Sequence, residues 1–389
     1  MDSVSPDTVI VDAMRTPIGA YGGGLRAYAP SDLGARAARA VLDRTGLAPD
    51  RLDHVVMGNV LHAEEGAAYL ARAVGRGAGV PDRVPALTVN RLCGSGLEAV
   101  LQAHRFIATG DADFVLAGGA ETMSATPYWS FGLRFGLRMG DGRLLDALTT
   151  ALVDPFAHVH MGETAEVLAE EYGIGREEQD AFALESHRRA AAARDRGEFA
   201  PDIVPVGDVT RDEHIRPDAT LEALARLRPA FRPGGTVTAG NASGLNDAGA
   251  AVLVASAPAA AAAGFRPRAV LRGHAVVATD PLHMGIAPVE AVRRALDRAG
   301  LSLSAVDLVE LNEAFAAQTL AVMRDLDLDP ARTNVNGGAI ALGHPVGATG
   351  AILVTKILSA LERRGGRYGL VTLCIGGGQG IAAVLERVG

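Results

Sequence analysis

Two cysteines and one histidine, each set among glycines, are the residues of this 389-residue chain best suited to chemistry. Cys93 lies in Thr88-Val-Asn-Arg-Leu-Cys-Gly-Ser-Gly-Leu-Glu-Ala, and Cys374 in Leu373-Cys-Ile-Gly-Gly-Gly-Gln-Gly. His344 lies in Asn336-Gly-Gly-Ala-Ile-Ala-Leu-Gly-His-Pro-Val-Gly-Ala-Thr-Gly. A cysteine is otherwise among the most buried and inert of residues. Glycine lets the backbone turn sharply and approach a ligand, so thiols in such blocks are open to chemistry. Cys93 follows an extended stretch, and Gly94-Ser-Gly opens a helix behind it. The sulfur therefore belongs at a helix N-terminus, where unpaired N–H groups and the macrodipole favour the thiolate. The Cys93 amide is also placed to face a developing oxyanion. A nucleophile needs a base, and His344, fixed by Pro345, is the best of ten histidines. Cys374 ends a buried strand at the edge where open α/β sheets hold ligands, which suits an acid/base role. Asn312, at another strand end in Asn312-Glu-Ala-Phe-Ala, suits orienting a water, donating to an oxyanion, or capping a helix.

The elements that must carry these residues alternate. Val9-Ile-Val is a strand, and Ser31 caps a helix running to about Thr45. A strand at 54–58, a helix near 67–78 and an extended segment over 84–90 lead into Cys93. A helix over 97–109 and a buried strand from Phe114 into Gly118-Gly119 follow. This order predicts a largely parallel sheet covered on both faces. The pattern recurs near the end: helix 288–299, strand 307–311, helix 350–363, then strand 368–373 ending in glycines. Two similar α/β halves packed together would bring equivalent loops to one face. Residues 1–121, completed by 244–266, form the first half, and 267–389 the second. Residues 122–243 break the alternation and read as a loop or lid domain that supplies ligand contacts.

Composition narrows the classes. With 48% hydrophobic and 21% charged residues the chain is that of a compact protein, and its net charge of −8 disfavours nucleic acid as a partner. Lys356, the only lysine, lies mid-helix and reads as compositional bias. No P-loop and no GxGxxG with an acidic residue at Rossmann spacing is present. HExxH and paired CxxC are absent, so no metal site is expected. The first seven residues lack a signal peptide's basic and apolar regions, and the alanine-rich run 248–265 reads as strand plus short helix rather than a membrane span. A cytosolic protein is expected.

Taken in order, Val89-Asn-Arg-Leu-Cys-Gly-Ser-Gly-Leu, the His344 block, Cys374-Ile-Gly-Gly-Gly-Gln-Gly, Asn312-Glu-Ala-Phe-Ala and Thr238-Ala-Gly-Asn-Ala-Ser-Gly-Leu-Asn-Asp resemble the thiolase family over nearly the whole chain. The resemblance implies a duplicated α/β fold, two βαβαβαββ halves packed together with an inserted loop domain. It also implies an acyltransferase that joins two acetyl-CoA into acetoacetyl-CoA and CoA through an acyl-cysteine, and runs in reverse. Cys93 resembles the acylated nucleophile, His344 its activator, and Cys374 the thiol that moves the α-proton. Asn312, through a water, with His344 resembles one oxyanion hole, and the amides of Cys93 and Gly376 the other. His160 and Met161, in Val159-His-Met-Gly, resemble the pantetheine contact of acetyl-CoA-type members. Leu152, Arg216, Phe231, Ala239, Ser243, Ala314 and Phe315 match the rest of the CoA site. CoA thioesters are then substrates, no cofactor is required, and a homodimer or homotetramer is implied, with 122–141 as an assembly loop. Gly285-Ile-Ala-Pro departs from the family pattern at a point expected to border the acyl pocket. A degradative 3-ketoacyl-CoA thiolase for longer chains is the alternative activity; a non-catalytic CoA-binding protein is a distant third.

Overall fold

One sheet runs through the molecule, and the computed structural model describes residues 7–388 of it. Residues 1–6, on which the expectation of no signal peptide largely rests, lie outside the described residues. The strands are β1 (Thr8–Arg15), β2 (Gly19–Ala20), β3 (His54–Gly58), β4 (Ala86–Val89) and β5 (Phe114–Thr122). A separate ribbon pairs β6 (Tyr128–Trp129) with β7 (Leu145–Asp146). The sheet continues with β8 (Asn246–Ser256), β9 (Ala269–Ala278), β10 (Leu308–Leu311), β11 (Tyr368–Ile375) and β12 (Gln379–Arg387). Their order is β10-β11-β12-β9-β1-β8-β5-β3-β4, with β2 attached to β8.

The expected duplication is explicit in the pairing. In the first half, β3 lies parallel to β4 and β5, β5 pairs antiparallel with β8, and β8 antiparallel with β1. In the second half, β10 is parallel to β11, β11 antiparallel to β12, and β12 antiparallel to β9. A single parallel bridge, Val309 to Thr333, stands where the first half has β4. The halves join where β1 and β9 run antiparallel. The sheet is thus mixed, not largely parallel as the alternation suggested. Strands buried on both faces show continuous apolar runs whatever their direction, so direction leaves no mark in their composition. Between β5 and β8 the chain inserts the segment that carries the β6–β7 ribbon and four further helices. The matching connection between β11 and β12 is only the turn Gly376–Gly378, whose last two residues have φ +75° and +76°.

Successive residues of each strand feed different cores. Ile10 and Ala13 of β1, and Val115 and Ala117 of β5, face a central core that includes Leu97, Leu101, Ile352 and Val354. Val9, Val11, Phe114 and Leu116 face a second core built with helices Pro30–Thr45 and Leu70–Gly77. Helix Pro30–Thr45 starts two residues earlier than expected, with Ala29 rather than Ser31 at its cap and no side-chain cap, because the Ser31 hydroxyl is given to Glu64 (2.7 Å).

Helices Ser95–Thr109 and Thr349–Arg364 pack against each other inside the molecule, and the second is buried without a break from Thr349 to Leu361. Their first turns meet through glycine. A Cβ on Gly96 would lie 2.8 Å from Ala351 N, and one on Gly350 only 2.1 Å from Leu97 N. Gly94-Ser-Gly and Gly347-Ala-Thr-Gly therefore do more than admit a ligand: they let two helix starts touch, which sets Cys93 beside the His344 loop.

Lys356, read as compositional bias, is buried and pairs with Glu310 at 2.7 Å while donating to Gly337 O at 2.7 Å. Burial raises the Glu310 pKa and Lys356 opposes it. Replacing Lys356 by methionine is expected to leave a buried carboxylate unpaired and remove about 3–5 kcal/mol of stability, with the double variant Lys356→Met/Glu310→Leu recovering most of it. Urea unfolding measures both; an unchanged midpoint in the single variant contradicts the assignment.

Candidate active site

The turn bearing Cys93 is held on both sides. β4 ends at Val89; Asn90 Oδ1 accepts the Leu92 N–H (2.9 Å), and Ser95 Oγ accepts the Arg91 N–H (2.8 Å) and donates to Leu92 O (2.7 Å). Leu92 is forced to φ +46°, a left-handed conformation unusual for a branched apolar residue. Cys93 follows in a 3₁₀ turn, Leu92–Gly94, that runs into helix Ser95–Thr109. This is the strand-turn-helix placement read from the sequence.

The thiol's ionisation differs from expectation. Burial pushes Cys93 up to about 11, and the nearby Glu121 carboxylate adds to this. The amides of Gly376 and of Cys93 itself point at the sulfur and pull the other way, but desolvation wins. The helix start does not make a resting thiolate. Those two amides are nevertheless the pair the resemblance assigns to an oxyanion hole.

His344 follows Gly343, whose φ of +107° and lack of a Cβ let it sit on the Asn246 amide. The His344 N–H donates to Asn246 Oδ1 (2.9 Å), and Nδ1 lies 2.7 Å from Thr349 Oγ1. The Thr349 hydroxyl donates to Pro345 O (2.8 Å), so its proton is committed and it accepts from Nδ1–H. The proton is thereby assigned to Nδ1, and Nε2 keeps its lone pair. Burial lowers the His344 pKa to about 4, so the ring is neutral at pH 7. Asn312 Nδ2 stands 3.5 Å from Nε2. Asn312 is fully buried, and its Oδ1 finds no hydrogen-bond partner among the described residues, which leaves an acceptor for a water or ligand.

Cys374 lies near the end of β11, 1% exposed. Burial raises its pKa well above the ordinary thiol value, and the neighbouring Cys93 adds to this. Two protonated thiols and one neutral imidazole with a free nitrogen can pass protons among themselves without any group holding a charge at rest.

Cys93, His344, Cys374 and Gly376 line one cavity of about 420 Å³, while Asn312 stands behind His344 rather than in the wall. All nine residues matched to a CoA site line the same cavity: Leu152, His160 and Met161 from the start of the inserted segment, Arg216, Phe231, Ala239 and Ser243 from its end, and Ala314 and Phe315 after β10. His160 stacks on Phe231 (centroids 4.7 Å, 21°), and Phe231 meets Phe315 edge-on (5.8 Å). His160 Nδ1 accepts the Gly162 N–H (3.1 Å), which leaves Nε2 to carry the proton. Arg216 is the one charged residue of the lining, and it is exposed, so the cavity runs from a cationic rim to the half-buried Cys93 and the buried Cys374. Of Gly285-Ile-Ala-Pro, neither Ile286 nor Ala287 reaches the cavity; both pack in the neighbouring core, and Met284 lines the wall instead.

Several residues that shape the site were not read as such. Thr349 fixes the histidine tautomer, and Asn246 holds its backbone. Glu121, at the end of β5, accepts the N–H groups of Val60, Leu61 and Gly347 and the Asn59 amide, tying the cavity wall to the His344 loop. Glu313 accepts from Ser186, Asn334 and Ile340 N beside Asn312. A hydroxyl five residues beyond His344, at the start of the next helix, was the available signal for Thr349. The others depend on contacts across distant parts of the chain. Among the described residues, no group of three or more metal-donor side chains converges.

Comparison with known proteins adds the family. The thiolase N-terminal domain matches residues 8–258 and the thiolase C-terminal domain residues 265–387. The chain is 52% identical to beta-ketothiolase BktB of Cupriavidus necator, covering 98% of this chain and 99% of that protein. It is 49% identical to an acetyl-CoA acetyltransferase of Chromobacterium violaceum, covering 98% and 100%. The crystal structure of human mitochondrial 3-ketoacyl-CoA thiolase in complex with CoA superposes with a TM-score of 0.97 at 47% identity, covering 98% of both chains. A duplicated α/β fold, two glycine-framed thiols on one cavity and two matched domains over almost the whole length place this chain in the thiolase family of acyltransferases.

Proposed function

We propose that the chain joins two acetyl-CoA molecules into acetoacetyl-CoA and CoA, and cleaves the product in reverse, through an acetyl group carried on Cys93. One observation carries this reading: a half-buried and a buried thiol and a neutral imidazole with a free Nε2 share a cavity whose only charge is a cation at the rim. That polarity suits a long apolar arm ending in a thioester, with an anionic group at the other end.

In the first transfer the Cys93 proton passes to His344 Nε2 as sulfur attacks the thioester carbonyl. The oxyanion meets the amides of Cys93 and Gly376, and CoA leaves with the Cys374 proton. A Cys374 thiolate and a His344 imidazolium then face each other. The thiolate takes an α-proton from the second acetyl-CoA, and the enolate oxygen is held by the imidazolium and by a water on Asn312. The enolate attacks the acetyl-Cys93 carbonyl, acetoacetyl-CoA leaves, and His344 returns its proton to Cys93. Each oxyanion donor of this kind contributes about 3–4 kcal/mol to the barrier reduction. His160, Met161, Leu152, Phe231, Ala239, Ser243, Ala314 and Phe315 hold the pantetheine arm, and Arg216 the nucleotide end. CoA thioesters are substrates here, and no further cofactor enters the cycle.

The second reading is thiolysis of longer 3-ketoacyl-CoA. The apolar wall of Leu61, Met123, Leu148 and Val346 against Cys93 favours it, as does likeness to the human 3-ketoacyl-CoA thiolase. Rates of thiolysis on C4 and C8 3-ketoacyl-CoA separate the two. A higher kcat/KM on C4 is expected, and preference for C8 overturns the acetyl-CoA assignment.

An assembly of two or four copies accompanies this reading. Supporting it, Phe131, Phe135 (94% exposed) and Met139 (97% exposed) stand out on the ribbon segment. A cytosolic location fits a chain in which, among the described residues, no helix is long and apolar enough to cross a membrane.

A further inference from the structure

Two polar residues of the cysteine blocks take no part in the mechanism. Arg91 stands two residues before Cys93, and Gln379 three residues after Gly376. Neither lines the cavity. Their side chains nevertheless meet: Arg91 Nη1 donates to Gln379 Oε1 at 3.1 Å, across 288 positions of sequence. A guanidinium has donors only, so the amide oxygen is the atom that faces it.

This contact bridges the two turns that supply the oxyanion donors. The Cys93 amide comes from the first half of the duplicated fold and the Gly376 amide from the second, and both point at the Cys93 sulfur. Among the described residues no backbone-to-backbone hydrogen bond joins the two turns. They touch through glycine faces: a Cβ on Gly94 would lie 2.5 Å from Ile375 Cδ1, and one on Gly376 3.3 Å from Leu92 Cδ1. Apolar contact is non-directional, so it opposes separation but does not fix register. The Gly376–Gly378 turn is all glycine, and its place depends on what holds its ends.

Both sides of the Arg91–Gln379 contact are anchored. Arg91 Nε donates to Glu98 Oε2 (2.9 Å) on helix Ser95–Thr109, which starts directly behind Cys93. Glu98 is buried and also accepts from Gln102 (2.8 Å) and Arg105 (2.6 Å). Gln379 opens β12, paired with Ile375 of β11 on one side and Ala278 of β9 on the other. One planar guanidinium therefore holds the helix of the nucleophile with one N–H and the strand after the Gly376 turn with another.

We propose that Arg91 and Gln379 are positioning residues that work as one clamp, setting the spacing of the Cys93 and Gly376 amides around the oxyanion of acyl transfer. This rests on the acyl-cysteine reading above. Two donors stabilise one oxygen only when both lie within hydrogen-bond distance of it, so loosening the clamp costs rate rather than substrate affinity.

The test is single-turnover release of CoA from acetyl-CoA, which reports acylation of Cys93. It is run on the wild-type protein, Gln379→Leu, Arg91→Met, the double variant and Gln379→Glu. Each of Gln379→Leu and Arg91→Met is expected to lower the rate at saturating acetyl-CoA by about 10- to 100-fold, with the half-saturating concentration within about twofold. The double variant is expected within about twofold of the slower single, because the same contact is lost once. Gln379→Glu keeps an oxygen for Arg91 and is expected within about threefold of wild type. An unchanged rate in Gln379→Leu, losses that multiply in the double variant, or a loss carried by the half-saturating concentration overturns the proposal. If Arg91→Met does not fold, Gln379→Leu and Gln379→Glu decide, and equal rates in the two overturn it. A wild-type protein that releases no CoA from acetyl-CoA instead defeats the acyl-cysteine reading and is recognised before any variant is made.

Discussion

Cys93→Ser is expected to lower condensation and thiolysis by roughly 10⁴-fold or more, the scale seen when a covalent nucleophile is removed from a preorganised site. A hydroxyl is nearly isosteric with the thiol, so the fold and the Gly376 amide stay in place, but it is a far poorer nucleophile at neutral pH. The same residue carries a pH prediction. Free cysteine ionises near its ordinary value, whereas Cys93 is held up to about 11 by burial, with Glu121 adding to it. At pH 7 its thiolate fraction is therefore smaller than that of free cysteine. Alkylation of Cys93 in the substrate-free protein is expected to be slow at pH 7 and still rising at pH 9.5, where a free thiol has levelled off. Substrate changes this by coupling loss of the proton to attack and by placing a polarised carbonyl before the amides. A residual rate in Cys93→Ser within tenfold of wild type contradicts the nucleophile assignment.

Cys374→Ala is expected to separate the two halves of the cycle. Its thiol gives a proton to departing CoA and then takes one from the second acetyl group, so its loss costs about 10²–10⁴-fold in condensation, the range for a positioned acid/base. Transfer of the first acetyl group to Cys93 keeps the His344 lone pair, and departing CoA, a thiol that also leaves as the thiolate, can take its proton from water, so this step is expected to be slowed less and to persist. The measurement is paired: CoA release in a single turnover, and acetoacetyl-CoA in the steady state. One equivalent of CoA per site without product supports the assignment. Equal loss of both steps moves Cys374 from proton transfer to support of the fold.

The duplication was visible because each half repeats strand, glycine-framed reactive residue, helix, then strand ending in Gly-Gly. The pairing directions were not, since β8 and most of β12 are buried on both faces and an apolar run is silent about direction. The thiols and His344 stood out for their glycine settings, and the structure brings them together. What the sequence misjudged about Cys93 was electrostatic. A helix start is written in local residues, but the desolvation that outweighs it comes from a wall assembled from the whole chain. Thr349, Asn246 and Glu121 escaped notice for a related reason. A threonine at a helix start or a glutamate at a strand end looks ordinary until its partner is known, and Glu121 meets Gly347 from 226 positions away.

In the proposed cycle acyl groups are carried by Cys93. Cys374→Ala protein mixed with acetyl-CoA, quenched in acid and mapped by peptide mass spectrometry tests it most directly. One acetyl group is expected on the peptide containing Cys93, lost on addition of free CoA. An acetyl group on any other residue, or none under conditions where CoA is released, contradicts it.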